Sequence, residues 1–192
     1  MTDAHDDASP VPQAGAVRGT KLVEKGRQLY RNGELEEALS CLHQAYEAYK
    51  GEDNPSGTAE AANDLGVLLT VLQRYSEAEM WLREAHRQFV ALEDLDGEAQ
   101  TLGNLGSMYQ SQGDLKEASA HLQRAADRFH LVGDDERRSD TLKVLSAVRL
   151  RQFRFMQALA AYEAALACQP NKSGFHRFLQ RLIGFPLKLM QR

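Results

Sequence analysis

Residues 101–125 read TLGNLGSMYQSQGDLKEASAHLQRA. Leu102, Leu105, Gly106 and Tyr109 fall at helical three-and-four spacing, as do Leu115, Ala118, Leu122 and Ala125. Gln112-Gly113-Asp114 separates the two sets, since glycine accepts the left-handed conformation at a helix C-terminus. The stretch therefore predicts two amphipathic helices joined by a tight turn. Its markers recur outward along the chain. Gly106 and Ala118 are matched by Gly26 and Ala38, Gly66 and Ala78, and Ser146 and Ala158, each pair 40 residues from the next. A fixed period of this length predicts a stacked array of helix pairs, because one pair alone leaves a face bare.

The first pair starts near Thr20 with Leu22, Val23, Gly26, Leu29 and Tyr30, stops at Asn32-Gly33, and continues through Leu35, Ala38, Leu39, Leu42, Ala45 and Tyr46. The second has Leu65, Gly66 and Leu69, then Tyr75, Ala78, Leu82, Ala85 and Phe89. Its turn at Gln73-Arg74 lacks glycine, so that helix should end less cleanly. The fourth has Leu142, Leu145, Ser146 and Leu150, then Phe155, Ala158, Tyr162 and Ala165, and closes at Pro170. Residues 50–57 (KGEDNPSG), 91–97 (ALEDLDG) and 132–135 (VGDD) read as connectors, with acidic groups placed to complement the dipoles of the helices that follow. The small columns should let each second helix approach its first. Leu35, Tyr75, Leu115 and Phe155, with Leu42, Leu82, Leu122 and Tyr162, should fill the space between successive pairs.

The chain has 192 residues, 43% hydrophobic and 26% charged, as expected of one globular domain. Its net charge of −4 gives no reason to expect nucleic acid. The charge is uneven: residues 164–192 carry +5 and the preceding residues −9. Cys41 and Cys168 lack close-spaced partners and read as small buried residues in a reducing cytoplasm. No apolar run reaches membrane-spanning length, and the N-terminus lacks a signal-peptide layout. Residues 1–18 (MTDAHDDASPVPQAGAVR) have few large apolar side chains and read as a disordered lead-in.

These residues resemble the tetratricopeptide repeat family. That family sets Leu-Gly, Tyr, Ala, an aromatic or large apolar residue, Ala and Pro at fixed offsets. Leu102, Leu105-Gly106, Tyr109, Ala118, Leu122 and Ala125 fill them in the third unit, and Ala158, Tyr162, Ala165 and Pro170 in the fourth. The 40-residue period is similar to the longer-repeat branch of kinesin light chains and LGN-type adaptors, as is Leu102-Gly103-Asn104-Leu105-Gly106. The resemblance implies an all-α, right-handed α-solenoid of four helix-turn-helix repeats, about 19–57, 58–97, 98–137 and 138–170 within an array spanning 19–170, plus a C-terminal helix.

The resemblance also places the first helix of each repeat on a concave face that holds an extended peptide. The groove positions it implies are Arg27, Tyr30, Arg31, Asn63, Asp64, Val67, Gln100, Asn104, Ser107, Gln110, Lys143 and Arg151, with Val23 also facing outward. The branch's peptide-holding asparagine column falls on Glu24, Asp64, Asn104 and Val144, so one of four is asparagine. The lysine and asparagine clamp by which some members bind a terminal carboxylate is not reproduced.

Catalytic chemistry finds no purchase. The six histidines include no metal pair at i,i+4 spacing, and Gly103-x-x-Gly106 sits inside a helix rather than after a strand, so no phosphate loop forms. No metal or cofactor is expected. Residues 171–192 form a basic amphipathic segment: Phe175, Phe178, Leu179, Leu182 and Ile183 share one stripe, opposite His176, Arg177 and Arg181. It reads as a helix capping the fourth repeat, with Phe175, Arg177, Phe178, Arg181 and Lys188 as contacts. The expected function is a non-catalytic, cytoplasmic protein-interaction scaffold for a protein or peptide partner. Two other readings stand beside it. One is an adaptor whose basic tail touches an anionic membrane or an acidic partner. The other is a self-associating homo-oligomer.

Overall fold

The structure is a computed structural model that describes residues 14–168, with side chains from Arg18 onward. Eight helices follow one another with no strand among the described residues: α1 (Ala14–Asn32), α2 (Leu35–Gly51), α3 (Pro55–Val71), α4 (Tyr75–Ala91), α5 (Leu95–Gln112), α6 (Leu115–Val132), α7 (Asp135–Arg151) and α8 (Phe155–Ala167). They pair as α1/α2, α3/α4, α5/α6 and α7/α8, and each pair packs on the next. The four expected repeats are thus four helical hairpins. Boundaries differ at the joints. Helix α1 starts at Ala14, inside the stretch read as lead-in, and the expected connectors shrink to two or three residues because α3, α5 and α7 begin earlier.

The caps explain those early starts. Asn54, Asp94 and Asp134 stand 40 residues apart, one before each of these helices. Asn54 accepts from the Gly57 amide at 3.0 Å, Asp94 from the Asp96 and Gly97 amides at 3.1 and 3.0 Å, and Asp134 from the Arg137 amide at 2.8 Å. Each satisfies donors that have no partner within the helix. Pro55, in the first turn of α3, lacks the donor that would go unpaired there.

Close approach within a pair follows the small column. A Cβ on Gly66 would lie 2.4 Å from Leu82 Cγ, one on Gly106 2.6 Å from Leu122 Cγ, and one on Gly26 3.0 Å from Leu42 Cγ. Leu42, Leu82 and Leu122 therefore rest on the glycine of their own unit, which corrects the assignment of this column to the space between pairs. At Ser146 the fourth unit substitutes chemistry for absence: its Oγ donates to the Ala158 carbonyl at 2.8 Å. The alanines at 38, 78, 118 and 158 are fully or almost fully buried.

A second glycine column, hidden in the presumed connectors, joins one unit to the next. A Cβ on Gly57 would lie 2.7 Å from the Tyr49 ring, and one on Gly97 2.2 Å from Phe89 Cδ1. The ring ending each second helix thus beds on the backbone of the following first helix. Forty residues on, Arg137 occupies the column and lays its guanidinium over Phe129, 4.8 Å from the ring centre. The last unit breaks the packing pattern: Phe155 is 61% and Tyr162 37% exposed, whereas Leu82 and Leu122 are buried.

Candidate functional site

Helix α1 touches α3 and α3 touches α5 more closely than α2, α4 and α6 approach one another; Trp81 on Tyr46 and Arg124 on His86 are side-chain contacts between the latter. Backbones approach more closely on the inner side of a bend, so α1, α3 and α5 line the concave face. Most of the expected groove residues lie on this face, and the structure ties several together. Arg27 Nε donates to Asp64 Oδ2 at 2.8 Å, joining α1 to α3. Asn104 Nδ2 donates to Asn63 Oδ1 at 2.9 Å, and Thr101 Oγ1 donates to the same oxygen at 3.2 Å, joining α5 to α3. Asn63 is buried, so its carbonyl serves as an internal anchor and fixes the Asn104 amide.

Burial raises the pKa of the Asp64 carboxyl; the hydrogen bond and positive charge of Arg27 pull it back only in part. For Arg27 burial also disfavours the charge, but Asp64 outweighs it and the guanidinium is held more firmly protonated. The two partners differ because the Arg27 side chain is half-exposed and the Asp64 side chain only a fifth exposed.

Two cavities adjoin across this ion pair. One, about 170 Å³, is bounded by Gly26, Tyr30, Leu42, Val67 and Leu68 and is mainly apolar. The other, about 210 Å³, is polar, with Glu60, Asn63, Asp94, Asp96 and Gln100 around it. Arg27 and Asp64 border both. The remaining expected residues stand apart. Arg31 is exposed near the end of α1 and bonds Gln28 at 2.6 Å. Ser107 donates to the Gly103 carbonyl at 3.0 Å, and Gln110 is half-buried. Lys143 bonds Asp140 at 2.8 Å, and Arg151 is exposed at the end of α7. Val23 is buried, which corrects its outward placement. Glu60, another position that the resemblance turns toward the groove, lines the polar cavity; Asp96 was missed, although its one-turn offset from Gln100 placed it on the same stripe. Residues Phe175, Arg177, Phe178, Arg181 and Lys188 fall outside the described residues.

The opposite face carries a separate set of contacts. Tyr109 donates to Glu79 at 2.7 Å, accepts from Arg83 at 3.0 Å and stacks on His121 at 5.4 Å. Arg124 lies 3.3 Å from His86 Nε2, and Arg128 bonds the buried Glu98 at 2.8 Å. The bonds of Tyr109 to Glu79 and Arg83 and the contact of Arg124 with His86 tie the second unit to the third, whereas the Tyr109–His121 stack and the Arg128–Glu98 bond join α5 to α6 within the third. Among the described residues no three His, Cys, Asp or Glu side chains gather as a metal site, and no helix is long and apolar enough to cross a membrane.

Residues 18–89 and 97–171 match the tetratricopeptide repeat family. The chain belongs to that family. No curated protein matches it by sequence. Among solved structures, this tetratricopeptide repeat protein is similar to BtubC (BKLC) from P. vanneervenii, with 20% identity, a TM-score of 0.74, and 86% of this chain and 72% of that one covered. It is also similar to a Rap protein complexed with Competence and Sporulation Factor, at 18% identity and TM-score 0.74, covering 82% of this chain but only 44% of that one. A putative kinesin light chain repeat protein from Podosopora anserina matches at 14% identity and TM-score 0.52, with 93% and 94% covered. At these identities the likeness is one of fold: an all-α repeat solenoid.

Proposed function

We propose that the protein is a non-catalytic scaffold that holds an extended peptide or protein segment against α1, α3 and α5. The observation that carries this reading is the pair of adjoining cavities on that face, one apolar and one polar, set in a framework that side-chain bonds have already fixed. A preorganised groove spends less of its interaction energy on ordering itself. The solved Rap complex, similar in fold, fits a binding role for such an array. The two free, buried cysteines suit a reducing, cytoplasmic setting. Peptides selected from a random library should shift backbone amide resonances of Asn63, Gln100 and Asn104. Binders that perturb only α2, α4 and α6 would sink this reading.

A second reading has its own support. Leu150, Phe153, Phe155, Met156 and Tyr162 leave an apolar patch at the α8 end, which suits association with another copy. Light scattering on the full chain tests it: a monomer at all concentrations removes self-association.

A further inference from the structure

The two cavities on the α1–α3–α5 face differ in chemistry, and their common wall fixes how far apart a ligand's groups must be. The apolar cavity, about 170 Å³, is of the size that admits one aliphatic or ring-sized group. Around the polar cavity stand Glu60, Asp64, Asp94 and Asp96, with Arg27 as the lining cation. Arg27 is committed to Asp64, and Asp94 caps α5. Arg137 reaches Asp96 from α7, with one bond at 3.1 Å, and also holds Asp134. Among the described residues Glu60 is in no salt bridge, and its charge acts on Arg27 only through space. The polar cavity is therefore net negative, and an incoming carboxylate or phosphate would meet like charge while losing its hydration. A cation would supply the partly buried Asp64 with a second counter-charge.

We infer that the groove's occupant is an extended segment that places an aliphatic side chain in the apolar cavity and a lysine or arginine in the acidic one. The proposal rests on the groove reading above and specifies its ligand. Side chains of an extended strand alternate in direction, so two that enter one face are residues i and i+2, about 6.6–6.8 Å apart. Adjoining cavities with a common wall suit that step. The motif is thus an apolar residue and a basic residue separated by one position, in either order.

The probe is acetyl-Gly-Arg-Gly-Leu-Gly-Arg-Gly-amide, which presents the motif in both chain directions. Its counterparts replace both arginines by glutamate, or leucine by glycine. Each is titrated into the full chain while backbone amide shifts are followed. The arginine–leucine probe should shift Arg27, Glu60, Asp64 and Gln100 and should weaken as salt is raised. Loss of leucine should cost about tenfold in affinity, and Glu60→Gln should cost about threefold with the melting temperature unchanged. A glutamate probe that binds the same residues equally well or more tightly overturns the charge assignment but leaves the groove reading intact. An arginine probe that shifts only residues of α2, α4 and α6 overturns both. Failure of the arginine–leucine probe to bind overturns the motif.

Discussion

A methyl group added at Gly97 would lie 2.2 Å from Phe89 Cδ1 and 2.4 Å from Cε1, and a buried ring cannot easily withdraw. One added at Gly103 would meet only Ala125 Cβ, at 4.0 Å. Both glycines lie in α5, so the helix-propensity gain of alanine, about 1 kcal/mol, is common to the two. Gly97→Ala should nevertheless destabilise by about 1–3 kcal/mol through overpacking, and Gly103→Ala should stabilise by about 1 kcal/mol. Urea unfolding of the two variants checks the contrast; equal effects would remove the ring-on-backbone account of the repeat junction. These positions also mark how far residue-by-residue reading goes. Gly106 was legible because its column repeats inside an obvious amphipathic pattern. Gly57 and Gly97 recur only once, between Val17 and Arg137, and glycine beside Asn, Asp and Pro reads as a breaker until a bedded ring is seen. The Arg27–Asp64 and Asn63–Asn104 bonds were illegible for another reason: they cross between repeats, and spacing within one helix says nothing about them.

At the scale of the element, helix length follows the residue that takes the left-handed turn. Gly33, Gly113 and Gly133 have φ of 83°, 95° and 80°, and the helices they end run one residue further in register than those ended by Asp53, Gln73, Glu93 and Phe153. Helix α3, expected to end less cleanly without glycine, stops that one residue earlier but closes as α1 does, with the Arg74 amide donating to the Leu69 carbonyl at 2.9 Å. Phe153 is the most strained of the seven, a bulky residue at φ 60° whose ring is 80% exposed and gains little from packing. Phe153→Gly should raise stability by about 1 kcal/mol, because relief of the left-handed penalty exceeds the added chain entropy of glycine. The denaturation midpoint should rise with an unchanged slope. A fall in the midpoint would mean that the ring has a packing role in the fourth unit.

Across the whole molecule, the second helices carry histidines that resist protonation. His43, His86 and His121 are all held below the ordinary 6.5, first by burial, with Arg74 beside His43 and Arg124 beside the other two adding repulsion. The unfolded chain binds protons first, so their contribution to stability is complete above about pH 6.5 and is lost as pH falls through the depressed folded values. Glu77, Glu79, Glu84 and Asp134 are held below their usual carboxylate values, each through hydrogen bonds it accepts, so their contributions persist to lower pH. Asp64, raised by burial, acts in the opposite sense. The melting temperature should therefore drop between about pH 7.5 and pH 5, and a His86→Gln, His121→Gln double variant should flatten the drop. An equally steep drop in the variant would place the sensitivity elsewhere. One of these sites can be watched on its own. Trp81, the chain's single tryptophan, meets Tyr46 at 4.8 Å and His43 at 5.3 Å, both edge-on and both from the preceding repeat. Its emission is thus a built-in optical gauge of one junction, dimming when the imidazolium forms and shifting red if the first two hairpins part, while the other two junctions stay dark.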